Sequence, residues 1–289
     1  MQRSGAAKTY PTFHSSTPSL ISGGIFLPPD PCFPSPRRLV AIGDLHGDLL
    51  KSKQSLRLAS LIDSHDRWCG GSSTLVQIGD VLDRGGQELK ILYFLEKLKR
   101  QAVKSGGNVI TMNGLDEFAN WAYWFSVGNS IKSLCDGLEK PKDLYAGIPS
   151  SFPRLKQKYV AGFALRPNGP IATRFLSKNL TVVVVGESVF VHGGFCLGML
   201  CMGINQEVRD WISGLTERVT SSLVRVRNSL VWLWIFSNEV CDCTALEHVL
   251  STIPGARRMI MGHNIQEGGI NGVCDNRALR IDWACQKGA

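Results

Sequence analysis

The sequence contains no apolar run long enough to cross a bilayer. A spanning helix needs about 18–20 consecutive apolar residues, and the strongest stretches here, FCLGMLCMGI (195–204) and LVWLWIF (230–236), are much shorter. A long basic run is also missing, although Lys and Arg number 32 against 24 Asp and Glu, a net charge of +8. With the cations scattered and no aromatic stripe between them, nucleic acid is not expected. The charge instead suits anionic partners such as phosphorylated proteins. Cysteine pairs at zinc-ribbon spacing are lacking: the nine cysteines are odd in number, and the closest pairs are Cys196/Cys201 and Cys241/Cys243. That excludes a small disulfide scaffold and a structural zinc site of that type. The cysteines read as thiols in a reducing compartment, with redox control through Cys241 and Cys243 as the alternative. Acids are scarce at the start, where residues 1–38 hold only Asp30 among Ser, Thr, Pro, Gly and basic residues. Residues 1–37 therefore read as a disordered leader or a weak organelle-targeting peptide, which leaves a cytoplasmic or an organellar location open. Internal repeats are absent.

What remains can fold. At 44% hydrophobic and 19% charged, a chain of 289 residues buries a substantial core. The ordered domain is expected over 38–289. RLVAIGDLHGD begins it as a short apolar strand that stops in a Gly-Asp turn, followed by apolar residues at helical spacing over 51–62. TLVQIGDVLDRGG repeats the arrangement, with a strand at 74–78 and a helix at 87–104. NVITMNG supplies a third strand, 108–112. A helix over 116–139 and a Pro-rich connector, 141–153, come next. Later strands are expected at 179–186, 188–194, 257–264 and 278–284. Strand, loop, helix, strand is the α/β pattern, and the adjacent late strands suggest a second sheet. In such folds the ligand site lies at the strand carboxyl ends, which is where every Asp and His motif falls.

Asp44 and His46, in GDLHGD, put a carboxylate and an imidazole in one tight turn, a pair suited to a divalent transition metal. GDVLDRGG supplies Asp80, Asp83 and Arg84. A carboxylate at Asp80 can bridge two metals about 3.5–4 Å apart, and Arg84 offers a bidentate fork to phosphate oxygens. VHGG and GHN place His192 and His263 at two further strand ends. His14, His65 and His248 lack this context.

GDLHGD, GDVLDRGG, VHGG and GHN resemble the motifs of calcineurin-like metallophosphoesterases, specifically the phosphoprotein phosphatases. DRWCGGSSTLVQIGDVLDRGG, ILYFLEKLKR, RPNGPIATRFLS, CDCTALEHVLSTIPGARRMIMGH and INGVCDNRALRID narrow the resemblance to the plant Shewanella-like protein phosphatases, particularly the second type. It runs from about Arg38 to Asp282. The resemblance implies an α/β fold, a β-sandwich flanked by helices, with two divalent ions (Mn, Fe or Zn) at the strand carboxyl ends. Asp44 and His46 would hold the first ion, Asp80 would bridge, and His192 and His263 would hold the second. Arg84 would bind the substrate phosphate, and Asp83 would orient a catalytic histidine. The implied reaction is hydrolysis of a phosphorylated protein by direct attack of a metal-bridging hydroxide.

The third family motif, G-N-H-E, is broken. Here Gly114 is followed by Leu115, Asp116 and Glu117, so the amide ligand and the general-acid His are both missing. Either Leu115 and Asp116 replace them in place, or the N-H-E segment is absent and LDEFANWAYWFSVGN is what normally lies further on. The second reading explains the downstream resemblance and is preferred. VWLWIF puts Trp234 and Ile235 where a basic pair is usual, YVAGFALRPNG is shortened, and RIDWACQKGA stops before the usual terminal strands. The domain is therefore expected to be internally shortened and truncated at its C-terminus, its second metal site weakened and its activity impaired. Two alternatives fit the same residues: a non-catalytic pseudophosphatase that binds phosphate, and the defective product of a transcript lacking an exon.

Overall fold

A computed structural model describes residues 32–115, 117, 165–194, 201–217 and 230–282. Most of the expected leader, the connector and, apart from Glu117, the helix expected over 116–139 lie outside these residues. Among the described residues no helix is long and apolar enough to cross a membrane.

Two sheets face each other. The smaller is parallel and holds β2 (Leu39–Ile42), β3 (Thr74–Gln77) and β4 (Asn108–Thr111) in that order. The larger is mixed and has the order β1-β5-β6-β7-β9-β8. Its strands are β1 (Cys32–Phe33), β5 (Val182–Val185), β6 (Ser188–Val191), β7 (Arg258–Met261), β8 (Asn271–Val273) and β9 (Ala278–Arg280). β5 and β6 form an antiparallel hairpin, as the adjacent runs in the sequence suggest. β1 pairs in parallel with β5, so the sheet begins upstream of Arg38, the expected start of the domain. The observed strands are shorter than the apolar runs because the turns carrying the Asp and His motifs take the last residues of each run.

The alternation of the strands sorts side chains between layers. Val183, Val185, Phe190 and Ile260 from the large sheet meet Val76, Ile78, Ile110 and Met112 from the small one. Their neighbours Val182, Val184, Val189, Val191, Met259 and Met261 face outward against helices. On the opposite outer face, α1 (Leu49–Leu58) and α2 (Glu88–Lys104) cover the small sheet through Leu56, Phe94 and Leu98, packed on Leu75 and Val109. Burying each such side chain contributes about 1.5–3 kcal/mol. α3 (Pro170–Arg174), α4 (Cys201–Ile212) and α5 (Cys243–Ser251) cover the large sheet. The two sheets also touch along their edges, where Met112 bridges Leu180.

One polar side chain holds α4 in place. Asn205 is buried, and its Oδ1 accepts from Thr181 and Val182 N–H at 2.7 and 3.1 Å while its Nδ2 donates to the Val182 carbonyl at 2.7 Å. The amide thus satisfies the backbone where β5 begins. Replacing it with leucine, of similar size, leaves those backbone groups buried without partners, each costing about 1–3 kcal/mol. Urea denaturation of Asn205→Leu is expected to show a loss of about 2–4 kcal/mol.

Candidate metal centre

The turns that follow β2, β3, β4, β6, β7 and β9 gather at one end of the sandwich. They bring Asp44, His46, Asp80, Gly114, His192, His263 and Asp282 together. The turns are laced by backbone: Leu45 and His46 N–H both donate to the Asp80 carbonyl at 2.9 Å, and Gly262 N–H donates to the His192 carbonyl at 2.9 Å. Five of the residues expected at the site have left-handed backbone: His46 (φ 42°), Asp80 (48°), Asp83 (71°), Arg84 (66°) and His263 (66°). For non-glycine residues such conformations cost on the order of 1 kcal/mol or more each and persist only where the surroundings impose them.

Two ligand groups result. Asp44, His46 and Asp80 offer ligand atoms within 4.8 Å of one another, and so do Asp80, His192 and His263. Asp80 belongs to both, the position expected of a bridging carboxylate. His192 Nδ1 lies 3.0 Å from the Ile78 carbonyl, which orients the ring and turns Nε2 inward, 3.2 Å from Asp80 Oδ2. The His263 ring stands 5.1 Å from that of His192. Of the buried side-chain atoms without a hydrogen-bond partner among the described residues, three belong to this centre: Asp44 Oδ1, His192 Nε2, which has only its ion-pair contact with Asp80, and His263 Nε2. Orphaned donors and acceptors of this kind are rare in folded proteins, and these three aim into the two groups. Their chemistry, hard carboxylate oxygen with borderline imidazole nitrogen, suits Mn, Fe or Zn.

The electrostatics also favour a cation. Burial pushes the Asp44 carboxyl well above its ordinary range; Asp80 and Asp282 push in the same direction, against His192 and His46. Burial also raises Asp282. For His192, burial favours the neutral ring, but the Asp80 and Asp44 carboxylates outweigh it and raise the pKa to about 10. His263 moves the other way, to about 4, through burial and then the neighbouring His192 charge. The pocket thus holds more buried carboxylate than its own imidazoles neutralise comfortably, and protons on His192 and Asp44 stand where divalent ions would relieve the charge.

The broken motif has a definite geometry. A side chain at Gly114 would collide with the Asp80 carboxylate and His192, so this residue lies directly against the second ligand group. The next residue gives no ligand: Leu115 belongs to the core cluster with Leu45, Val81 and Leu82. The other amide nearby, Asn113, is committed to structure, donating to the Leu176 carbonyl at 3.0 Å and accepting from Asn179 at 3.0 Å. Asp116 lies outside the described residues. Glu117, in contrast, is buried beneath the turn. Its carboxylate accepts from the N–H groups of Asp80 (2.9 Å), Val81 (2.8 Å), Leu82 (3.2 Å) and Gly114 (2.7 Å).

Arg84 is half exposed, 3.9 Å from Asp83. It lines a cleft of about 740 Å³ with Asp44, His46, Asp282, Ile265 and Ile281. Trp234, at the expected basic pair, is exposed with its ring centroid 5.9 Å from that of His263 at a tilt of 43°, and Trp232 meets the same ring edge-on at 6.0 Å. His65 is exposed on a loop and His248 lies in α5, both away from the centre; His14 falls outside the described residues. Two contributors escaped the sequence reading. Asp282 carries the same signal as the others, an acid at a strand end, but no motif around it. Glu117 was visible only as the last letter of a damaged motif.

Carboxylates and imidazoles collected at strand ends from both layers of a helix-flanked β-sandwich define a calcineurin-like metallophosphoesterase. No protein-family model matches the chain. Shewanella-like protein phosphatase 2 of Arabidopsis thaliana is 55% identical over 304 residues, covering 92% of this chain and 78% of that one. Shewanella-like protein phosphatase 1 of Plasmodium berghei (strain Anka) is 28% identical over 257 residues, covering 85% and 66%. A solved structure, the cold-active protein-tyrosine phosphatase of a psychrophilic Shewanella species, has a TM-score of 0.67 at 19% identity, covering 88% of this chain and 73% of that one, a likeness of fold. The chain belongs to the Shewanella-like protein phosphatases, and by family it is a protein phosphatase, a phosphoric monoester hydrolase.

Glu117→Gln replaces one accepting oxygen with an NH₂ group that faces N–H donors. Its urea midpoint is expected to fall by the equivalent of about 2–4 kcal/mol, and equilibrium dialysis is expected to show weaker Mn²⁺ retention, because the Asp80 turn loses its anchor.

Proposed function

We propose that this chain is a metal-dependent phosphoprotein phosphatase working below the capacity of its family. The observation that carries the reading is the pair of ligand groups sharing Asp80. Asp44 and His46 would hold one ion and His192 and His263 the other, with Asp80 between them. Two divalent ions so held supply Lewis acidity toward a phosphoryl group and lower the pKa of water. The remaining work falls to the chain itself. Arg84, at the mouth of the cleft, would hold the phosphate oxygens with its guanidinium fork, and Asp83 beside it would orient that fork. The buried walls exclude bulk water and strengthen each charge interaction.

Two steps are left unsupported. The second ion has one ligand fewer than the family motif provides, since Leu115 faces the core. The general-acid His that the family motif would place after Gly114 is absent from the sequence, and on this reading a departing alkoxide takes its proton from water. General acid catalysis contributes about 10²–10⁴-fold. The match to the Arabidopsis relative extends over 304 residues while taking in 92% of this 289-residue chain, so the relative carries residues in that span that this chain lacks; we place one such gap after Gly114. The same loss favours a second reading, a pseudophosphatase that binds phosphorylated protein at Arg84 and the ions without turning it over.

Reconstitution with Mn²⁺ and assay on an aryl phosphate and a phosphoserine peptide separates the two. A phenolic leaving group, with a pKa near 10, needs less help from an acid than an alkoxide. The aryl phosphate is therefore expected to turn over measurably and the phosphoserine peptide at least about 10²-fold more slowly. Asp80→Asn should abolish both reactions; equal inactivity of wild type and Asp80→Asn would sink the enzyme reading. Leu115→Asn is expected to cost about 1–3 kcal/mol in urea denaturation with no gain of metal, because the amide enters the core. Restoring N-H-E after Gly114 should raise phosphoserine turnover by about 10²–10⁴-fold.

A further inference from the structure

Three cysteines meet at the start of α5. Cys243, the first residue of that helix, is bonded to Cys274 in the β8–β9 hairpin, which corrects the expectation of thiols throughout. Cys241 keeps its thiol, and its sulfur lies 3.5 Å from that of Cys274. This is sulfur–sulfur contact, close to the separation from which a thiolate attacks. Cys274 thus has one covalent partner and a second in reach, two residues earlier in the chain.

We propose that Cys241, Cys243 and Cys274 form a thiol–disulfide exchange centre in which a Cys243–Cys274 bond and a Cys241–Cys274 bond interconvert. Cys241 gives its proton to solvent, and the thiolate attacks Cys274 Sγ. The Cys241–Cys274 bond forms as the Cys243–Cys274 bond breaks, and Cys243 leaves as a thiolate that takes a proton from solvent. One disulfide and one thiol stand on each side, so the step needs no oxidant. The surroundings suit both ends of the reaction. Cys243 leaves at a helix N-terminus, where the dipole stabilises a thiolate. Burial raises the Cys241 thiol, with Asp242 acting in the same sense, while the Arg280 guanidinium facing it acts in the opposite sense and favours the attacking thiolate.

The exchange reaches the metal centre through the 230–242 loop. Arg280 Nε donates to the Phe236 carbonyl at 3.1 Å, and Asn264 and Gln266, just after His263, donate to the Ser237 carbonyl at 2.8 and 3.2 Å. Trp232 and Trp234 on this loop pack against the His263 ring. Moving the tether from Cys243 to Cys241 shortens its connection to that loop by two residues and draws the loop toward the hairpin.

Trypsin and Asp-N together separate the three cysteines onto peptides 228–241, 242–257 and 259–274. The full chain is incubated at pH 8.5 without reductant, quenched in acid and mapped by mass spectrometry. Both the 243–274 and the 241–274 linked pairs are expected; a digest holding the 243–274 pair alone would overturn the exchange. Cys243→Ser is expected to yield the 241–274 pair in place of the native one, and alkylation of both remaining thiols would also overturn it. Cys241→Ser and Cys243→Ser lock the two isomers, and their tryptophan emission spectra are expected to differ. Identical spectra would overturn the coupling to Trp232 and Trp234.

Discussion

Four backbone N–H groups, from the turns after β3 and β4, converge on the buried carboxylate of Glu117. Those turns have left the sheet ladder, so their donors would otherwise be buried without partners. One carboxylate satisfies all four and fixes the Asp80 turn against Gly114. The Asp80 carbonyl then accepts from Leu45 and His46, and the β2 turn is fixed in its turn. The left-handed backbone at Asp80 and His46 is sustained by this lacing. Without it, two of the ligand-bearing turns would have no common frame.

The same frame concentrates charge that the fold alone leaves unbalanced. Asp44, Asp80 and Asp282 are desolvated together, and His192 responds by holding its proton while His263 loses its own. A site of this kind is less comfortable empty than filled. Bringing like charges together away from water is costly, and bound divalent ions would relieve that cost.

Damage to the third motif is uneven in its consequences. Glu117 ties the Asp80 turn to Gly114, so the frame stands. On the proposed reading the amide ligand and the acid of the motif are gone: Leu115 packs in the core, where an apolar side chain stabilises the fold and offers no ligand. On the function proposed above, structural integrity and catalytic completeness come apart at this one turn, with all five candidate ligand side chains still assembled.

Much of this was legible in the sequence. Apolar runs ending in Gly-Asp or His-Gly announced strands with ligands at their ends, because a strand's alternation and a turn's need for glycine are local properties. The motif letters named Asp44, His46, Asp80, His192 and His263 for the same reason. Neither the entry of Asp282 nor the four donors on Glu117 could be read there, since each depends on which strand ends the sandwich brings together. The cysteines make the point most directly. Cys241 and Cys243 are neighbours in the chain, but their common partner Cys274 is set beside them only when the β8–β9 hairpin packs next to α5. Local pattern determined which residues carry chemistry; long-range packing, which no local spacing encodes, decided which of them meet.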